Sequence, residues 1–277
     1  MKMTTEQLYQ SLQRRTVRLE TLPETSLKRD RPMRTLILPD IHLPHINKTV
    51  VSMLVDEFKN GIDRVVLLGD YLDFDSLSRF FPKKFTGFSS ELKESRAALG
   101  HLRKKFDDVP LVYIIGNHEE RFMKKLGESF SDLADFISLK EILYKSGLLP
   151  EHAEMINVKE AGQPYLLERG IYAIHGHETT VRSSSTPARS LQLKIGGGFN
   201  YLFGHFHTFD LRKTGKNQGR FVYFIGLPMV GSPNLGYVLT NTYESGYAVL
   251  DGTELKVVVL NDNNKKQLEM VIDLRQD

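Results

Sequence analysis

The stretch LFGHFHT, residues 202–208, ends an apolar run in a glycine and then sets His205 and His207 one residue apart. If residues 199–205 form a strand, side chains alternate faces and the two imidazoles project the same way. Neutral imidazole is the commonest nitrogen ligand for metal ions, so such a pair suits one. An H-x-H pair alone also fits two histidines beside a turn, so the rest of the chain has to decide. Four other apolar segments end in the same chemistry. RTLIL (34–38) runs into Asp40-Ile41-His42, and DRVVLLG (63–69) into Asp70-Tyr71-Leu72-Asp73. VPLVYIIG (109–116) runs into Asn117-His118-Glu119, and IYAI (171–174) into His175-Gly176-His177. Each has an ordinary reading taken singly: a helix-start Asp, a Gly-Asp turn, a Glu favouring a helix dipole, loop histidines. Taken together, five strands deliver Asp, His and Asn to one sheet edge, where ligands gather in sheet-containing folds. His177 is the weakest member of the set, and His45, His101 and His152 match nothing in it.

These residues need elements that bring five strand ends together. From Arg34 the pattern alternates strands at 34–38, 63–69 and 109–116 with helices at 47–61, 91–106, 119–127 and 131–146. After residue 150 short strands dominate: MINVKE, QPYLLERG, IYAIHG, NYLFG, RFVYFIG, YAVLDG, LKVVVL and EMVIDL. Helices first and strands later imply two packed sheets flanked by helices, not an all-parallel fold. Residues 1–33 read separately, as a polar helix over 5–20 and a linker over 21–33 that carries Pro23, Pro32 and a basic run. The domain proper is expected over 34–277.

Bulk composition narrows the chemistry. The 277 residues are 40% hydrophobic and 26% charged, ordinary for a globular protein. No apolar run is long enough to span a bilayer and MKMTTEQLYQ lacks a signal-peptide core, so the expectation is a cytoplasmic protein without a membrane partner. There is no cysteine, which excludes disulfides and thiolate metal sites. Any metal must sit on histidine, carboxylate and amide ligands. A net charge of +3 tolerates an anionic substrate without identifying one.

In order, D-x-H, G-D-x-x-D, G-N-H-E, H-x-H and G-H-x-H resemble the calcineurin-like metallophosphoesterase superfamily, over residues 40–207. The resemblance implies a four-layer α/β/β/α sandwich of two mixed sheets flanked by helices, holding two divalent metals at its strand ends. Carried over by position, Asp40, His42 and His207 bind the first metal and Asp70 bridges both. Asn117, His175 and His205 bind the second, so His205 and His207 serve different metals. His118 is the acid that protonates the leaving-group oxygen, with Asp73 as its orienting partner. Manganese is the first choice of metal, with iron, zinc, nickel or magnesium also compatible with nitrogen and oxygen ligands. A bridging carboxylate can hold two metals about 3.5–4 Å apart, which suits in-line displacement at phosphorus by a metal-bridging hydroxide. The metals also neutralise phosphoryl oxygens, and a histidine can protonate the departing alkoxide.

One departure bears on substrate. In the superfamily's protein phosphatases an Arg that helps hold phosphate follows the second Asp of G-D-x-x-D; here Phe74 follows Asp73. Arg121 or Arg79 is the candidate replacement. RFFPKKFTGF (79–88) interleaves Arg79, Lys83 and Lys84 with phenylalanines, a composition suited to single-stranded nucleic acid or a nucleotide, or to core packing. HETTVRSSSTPARS (177–190) adds hydroxyls with Arg182 and Arg189. The expected activity is phosphodiester hydrolysis in DNA, RNA or nucleotides. The alternatives are a phosphomonoesterase acting on phosphoprotein or a metabolite, and a non-catalytic scaffold, which would be expected to lack ligands or the acid histidine.

Overall fold

The computed structural model describes residues 31–77, 87–129, 137–178, 186–195, 198–217, 220–233, 243–260 and 266–275. The helix expected over 5–20 and nearly all of the linker lie outside them. The first sheet begins with β1 (Arg34–Leu38), β2 (Arg64–Leu68), β3 (Leu111–Ile114) and β4 (Glu154–Ile156), all parallel. Beyond β1 it continues antiparallel through β10 (Ser245–Asp251), β11 (Glu254–Leu260) and β12 (Lys266–Asp273). Its seven strands run in the order β12-β11-β10-β1-β2-β3-β4. The second sheet contains β5 (Tyr165–Glu168), β6 (Ile171–Ile174), β7 (Asn200–Phe203), β8 (Asp210–Asn217) and β9 (Arg220–Gly226). Its order is β5-β6-β7-β9-β8, with parallel β6, β7 and β9 between antiparallel edges.

Burial on both faces explains the unbroken apolar runs of β1, β2 and β3. One face of the first sheet, with Leu36, Leu38, Val65, Leu67 and Tyr113, packs on Val50 and Leu54 of α1 (Lys48–Lys59) and on Leu99, Leu102 and Phe106 of α2 (Phe88–Leu99) and α3 (Leu102–Asp107). The other face, with Ile37, Val66, Leu68 and Val112, packs on Ile171, Ala173, Leu202 and Ile225 of the second sheet. The outer face of the second sheet, with Tyr201, Phe203 and Phe224, receives Ala188 and Leu191 of α7 (Pro187–Ile195). Helix, sheet, sheet and helix therefore stack as four layers around three apolar interfaces, as expected.

Local chemistry sets the boundaries, and some differ from expectation. Asn47 caps α1, its side chain accepting from the N–H groups of Thr49 and Val50. The single helix expected over 91–106 is two, broken at Gly100, whose φ of 50° no helix accommodates. MINVKE is a strand only to Ile156; Asn157 then caps the short helix α6 (Val158–Ala161). The helix expected over 119–127 starts earlier, as α4 (Asn117–Ser129). Within 131–146 the described helix is α5 (Leu139–Lys145), capped by Ser138. DLRKTGKN forms β8, which the sequence pattern did not disclose because its lysines, arginine and glycine hide an edge strand. No helix among the described residues is long and apolar enough to cross a membrane.

Candidate functional site

The parallel strands β1, β2, β3, β6 and β7 each end in a short loop, and the loops converge. Asp40, His42, Asp70, Phe74, His205 and His207 all have positive φ, between 46° and 69°. Among the described residues no other non-glycine does. Such backbone costs on the order of 1–3 kcal/mol per residue and is held only where the surroundings demand it. It also replaces the strand-alternation argument for His205 and His207. β7 stops at Phe203, and two left-handed residues then send the imidazoles in different directions. His205 joins Asp70 and His175, while His207 joins Asp40 and His42.

The donor atoms form overlapping groups. Asp40, His42, Asp70 and His207 each place one within 4.8 Å of the others, as do Asp70, His175 and His205. Nε2 of His42 lies 3.1 Å from Nε2 of His207, and Oδ1 of Asp40 lies 3.3 Å from the latter. Oδ2 of Asp70 is 3.3 Å from Nε2 of His175 and 3.9 Å from Nε2 of His42, so this one carboxylate belongs to both groups. Asn117 adds Oδ1 at 3.1 Å from Nε2 of His175. Nδ1 of His175 donates to the Leu68 carbonyl at 2.8 Å, which turns Nε2 inward. Asp40, His42, Asp70, His175 and His207 are all buried.

Buried nitrogen and carboxylate lone pairs aimed at common points are the donor set of a divalent cation. The electrostatics agree. Burial opposes ionisation of Asp70, but His175, His118 and His42 hold its carboxyl well below the usual range. Burial also opposes a charge on His175, yet Asp70 and Asp40 lift it to about 10. His205 goes the other way, pushed down to about 4 by burial and the His175 charge.

Asp73 and His118 stand beside the first group. The Asp73 carboxylate lies 2.9 Å from Nδ1 of His42 but 3.7 Å from Nδ1 of His118. His118 is held instead by the Asp73 backbone carbonyl, 2.5 Å from Nδ1. Asp73 is thus the partner of His118 through its main chain, and of His42 through its side chain. Nε2 of His118 faces Oδ2 of Asp70 at 3.8 Å. Arg121 sits one helical turn on, its guanidinium 3.3 Å from the same Asp73 carbonyl and 2.9 Å from the His118 ring.

Sequence reasoning missed four positioning residues. The buried Glu119 carboxylate accepts from Gly116 N–H (2.9 Å), Asp70 N–H (3.0 Å), Tyr71 N–H (3.0 Å) and Leu72 N–H (3.4 Å), tying the β2 and β3 loops together. Burial and the nearby Asp70 charge push its carboxyl up. Its place in G-N-H-E was the available signal. Glu244 accepts from Phe209 N–H at 2.6 Å and donates its own N–H to the His207 carbonyl at 2.8 Å. The Tyr243 ring meets the His207 ring edge-on at 4.5 Å. Nε2 of His45 approaches the Asp73 carboxylate at 3.9 Å. Two glycines are required by close approach: a Cβ at Gly116 would collide with Asp70, and one at Gly204 with the Asp40 carboxylate.

Other expectations divide. Arg79, Lys83, Lys84 and Arg182 lie outside the described residues. Phe88, at the end of the basic-aromatic segment, stacks with Phe74 and Phe122 (ring centroids 5.8 and 5.4 Å apart), so for this residue packing prevails over base stacking. Phe74 is buried in the same cluster. His177 stands just outside the second group, its ring 5.2 Å from that of His175 and its Nε2 3.1 Å from Glu120.

A family model described as calcineurin-like phosphoesterase matches residues 33–209. No curated protein matches the chain. Among solved structures, the Escherichia coli phosphoesterase YfcE is 17% identical with a TM-score of 0.44, the alignment covering 88% of this chain and 100% of that one. Zinc-complexed Vps29 from Entamoeba histolytica is 16% identical (TM-score 0.41, 88% and 100% covered). The yellow lupin purple acid phosphatase PPD1 is 11% identical (TM-score 0.41, 87% and 53% covered).

Proposed function

The chain belongs to the calcineurin-like phosphoesterase family, and on that premise we propose that it is a dinuclear metal-dependent hydrolase of phosphodiesters in nucleic acid or nucleotides. The observation that carries the proposal is the shared, buried Asp70 carboxylate, reached from one side by His42 and from the other by His175. Asp40, His42, His207 and Asp70 would hold one divalent cation; Asp70, Asn117, His175 and His205 would hold the other. When bound, the cations supply Lewis acidity, activation of water and charge neutralisation at the phosphoryl oxygens.

The chain's own residues do the rest. The Asp73 carbonyl and the Arg121 guanidinium hold the His118 ring at Nδ1, which leaves Nε2 facing the reaction centre beside Asp70. From there it donates the Nε2 proton to the leaving-group oxygen. The Asp73 carboxylate orients His42 so that its Nε2 points at His207. Arg121, beside the acid, is the described cation best placed to meet a substrate oxygen. The diester preference is supported by Phe74, turned into an apolar stack where a phosphatase of this superfamily would offer Arg to a dianionic phosphate.

The test is hydrolysis of bis(p-nitrophenyl) phosphate beside p-nitrophenyl phosphate, with Mn²⁺ and after chelation. Diester preference that chelation abolishes is the expected result. Monoester preference would move the assignment to a phosphatase. Inactivity on both esters with metal bound would remove the hydrolase reading.

A further inference from the structure

Phe74 has a φ of 54° and a buried side chain. A bulky residue is a rare occupant of left-handed backbone, so its surroundings must hold it there. We infer that Phe74 is a positioning residue for the general acid: its ring, stacked on Phe88 and Phe122, fixes the peptide whose Asp73 carbonyl holds His118. The inference rests on the reading of His118 as the acid given above and adds what aims it.

The torsion is the first argument. Rotation about the N–Cα bond of Phe74 swings the Asp73–Phe74 peptide, and with it the Asp73 carbonyl, relative to the Phe74 ring. Asp73 gives its N–H to the Leu43 carbonyl (3.0 Å) and its carboxylate to His42 (2.9 Å), both in the loop after β1. Its carbonyl instead meets α4, 2.5 Å from Nδ1 of His118 and 3.3 Å from the Arg121 guanidinium. Relaxation of Phe74 to an ordinary negative φ would turn that peptide by about 100° or more and take the carbonyl off His118.

The stack resists that turn. The Phe74 ring centroid lies 5.0 Å from that of Phe122 and 5.8 Å from that of Phe88, with 22° between the planes in each pair. Stacked rings attract beyond the area they bury. Phe122 stands one helical turn beyond His118, so the stack ties the loop to the helix that carries the acid. A second hold comes from α2 through Glu91, one turn after Phe88. Its buried carboxylate accepts from Asp75 N–H (2.9 Å), Ser76 N–H (3.1 Å) and the Ser76 hydroxyl (2.6 Å). Residues 74–76 are thus gripped from α2 and α4 together, and the Asp73 carbonyl sits at the edge of the gripped segment. A leucine would fill part of the same space without the flat faces that keep φ positive.

The experiment compares methyl p-nitrophenyl phosphate with methyl phenyl phosphate, diesters that differ only in the leaving phenolate. The phenyl ester has the poorer leaving group and depends more on the acid. In metal-loaded protein, Phe74→Leu should lower kcat for the phenyl ester at least about tenfold more than for the p-nitrophenyl ester, with metal content unchanged by elemental analysis. Phe88→Leu, at the half-buried rim of the stack, should shift the ratio of the two rates the same way and serves where Phe74→Leu does not fold. In a His118→Ala background neither substitution should move that ratio further, because residues that act as a unit are not additive. Phe106→Leu, a core substitution where α3 packs near Phe58 of α1, should leave it at the parental value. Equal falls for both esters, an unmoved ratio, an equal shift in Phe106→Leu, or a further shift in the His118→Ala background overturns the inference. Parental turnover of both esters with an unmoved ratio in the stack variants leaves the diesterase reading standing; no turnover of either ester by the metal-loaded parent overturns both.

Discussion

Replacing Asp73 by Asn separates two roles that one residue holds in this site. The backbone carbonyl that accepts from His118 is untouched, while the carboxylate 2.9 Å from His42 loses its charge. Burial works against that carboxylate, yet the His42 hydrogen bond and the charges of His42, His118 and His45 bring its pKa down from 3.8 to about 2. The hydrogen bond from His42 to this buried, charged carboxylate is worth on the order of 2 kcal/mol. Because the native pKa is depressed, that stabilisation is fully present above the unfolded value of 3.8 and is lost as pH falls toward 2. In chelated protein, Asp73→Asn should therefore cost about 2 kcal/mol in urea denaturation at pH 7. The gap between variant and parent should close as pH falls from 4 to 2. A neutral partner also leaves His42 a weaker ligand, so affinity for the more weakly held cation should fall about 10–100-fold in a calorimetric titration. At saturating metal, kcat should change little, since His118 keeps its hydrogen bond. A large fall in kcat with metal affinity and stability intact would refute this account and make the Asp73 carboxylate the orienter of the acid.

His118→Ala should retain metal, measured by elemental analysis, and slow hydrolysis of esters with poor leaving groups by about 10²–10⁴; an unchanged rate would remove it as the acid. Glu119→Gln keeps one carbonyl acceptor and turns an amide toward backbone N–H groups that Glu119 now satisfies. It should lower stability by about 2 kcal/mol or more in thermal unfolding, and parental stability would show that the clamp is not needed. Gly204→Ala places a methyl against the Asp40 carboxylate and should weaken metal binding at least about tenfold. Unaltered binding by calorimetry would mean the loop yields without displacing Asp40.

Much of this protein was legible along the chain. Apolar runs of four to seven residues marked the buried strands of both sheets, because strands covered on both faces carry no polar alternation. The polar residues right after those runs marked the convergent loops, because the parallel strands of each sheet end on the same side. Edge elements were less visible. β8 lies at the sheet edge and its lysines and arginine carry no apolar signature, while nothing along the chain marks the left-handed backbone of Gly100 within the helix expected over 91–106.

By itself, then, the sequence determined which residue types reach the strand ends and in what order, and that no thiolate could be among them. Only the tertiary structure decided which of them meet. His205 and His207 are two residues apart in the chain, with left-handed backbone at both, yet they join different donor groups that share Asp70. Asp73 and His118, paired by expectation through a side chain, are joined through a main-chain carbonyl. Glu119, an ordinary helix-start acid in the sequence, becomes a buried knot of four backbone N–H groups. The physical reason is the same in each case. Residue spacing constrains direction only while the backbone is regular, and this site is built where it is not, so its contacts are set by what neighbouring loops leave unsatisfied.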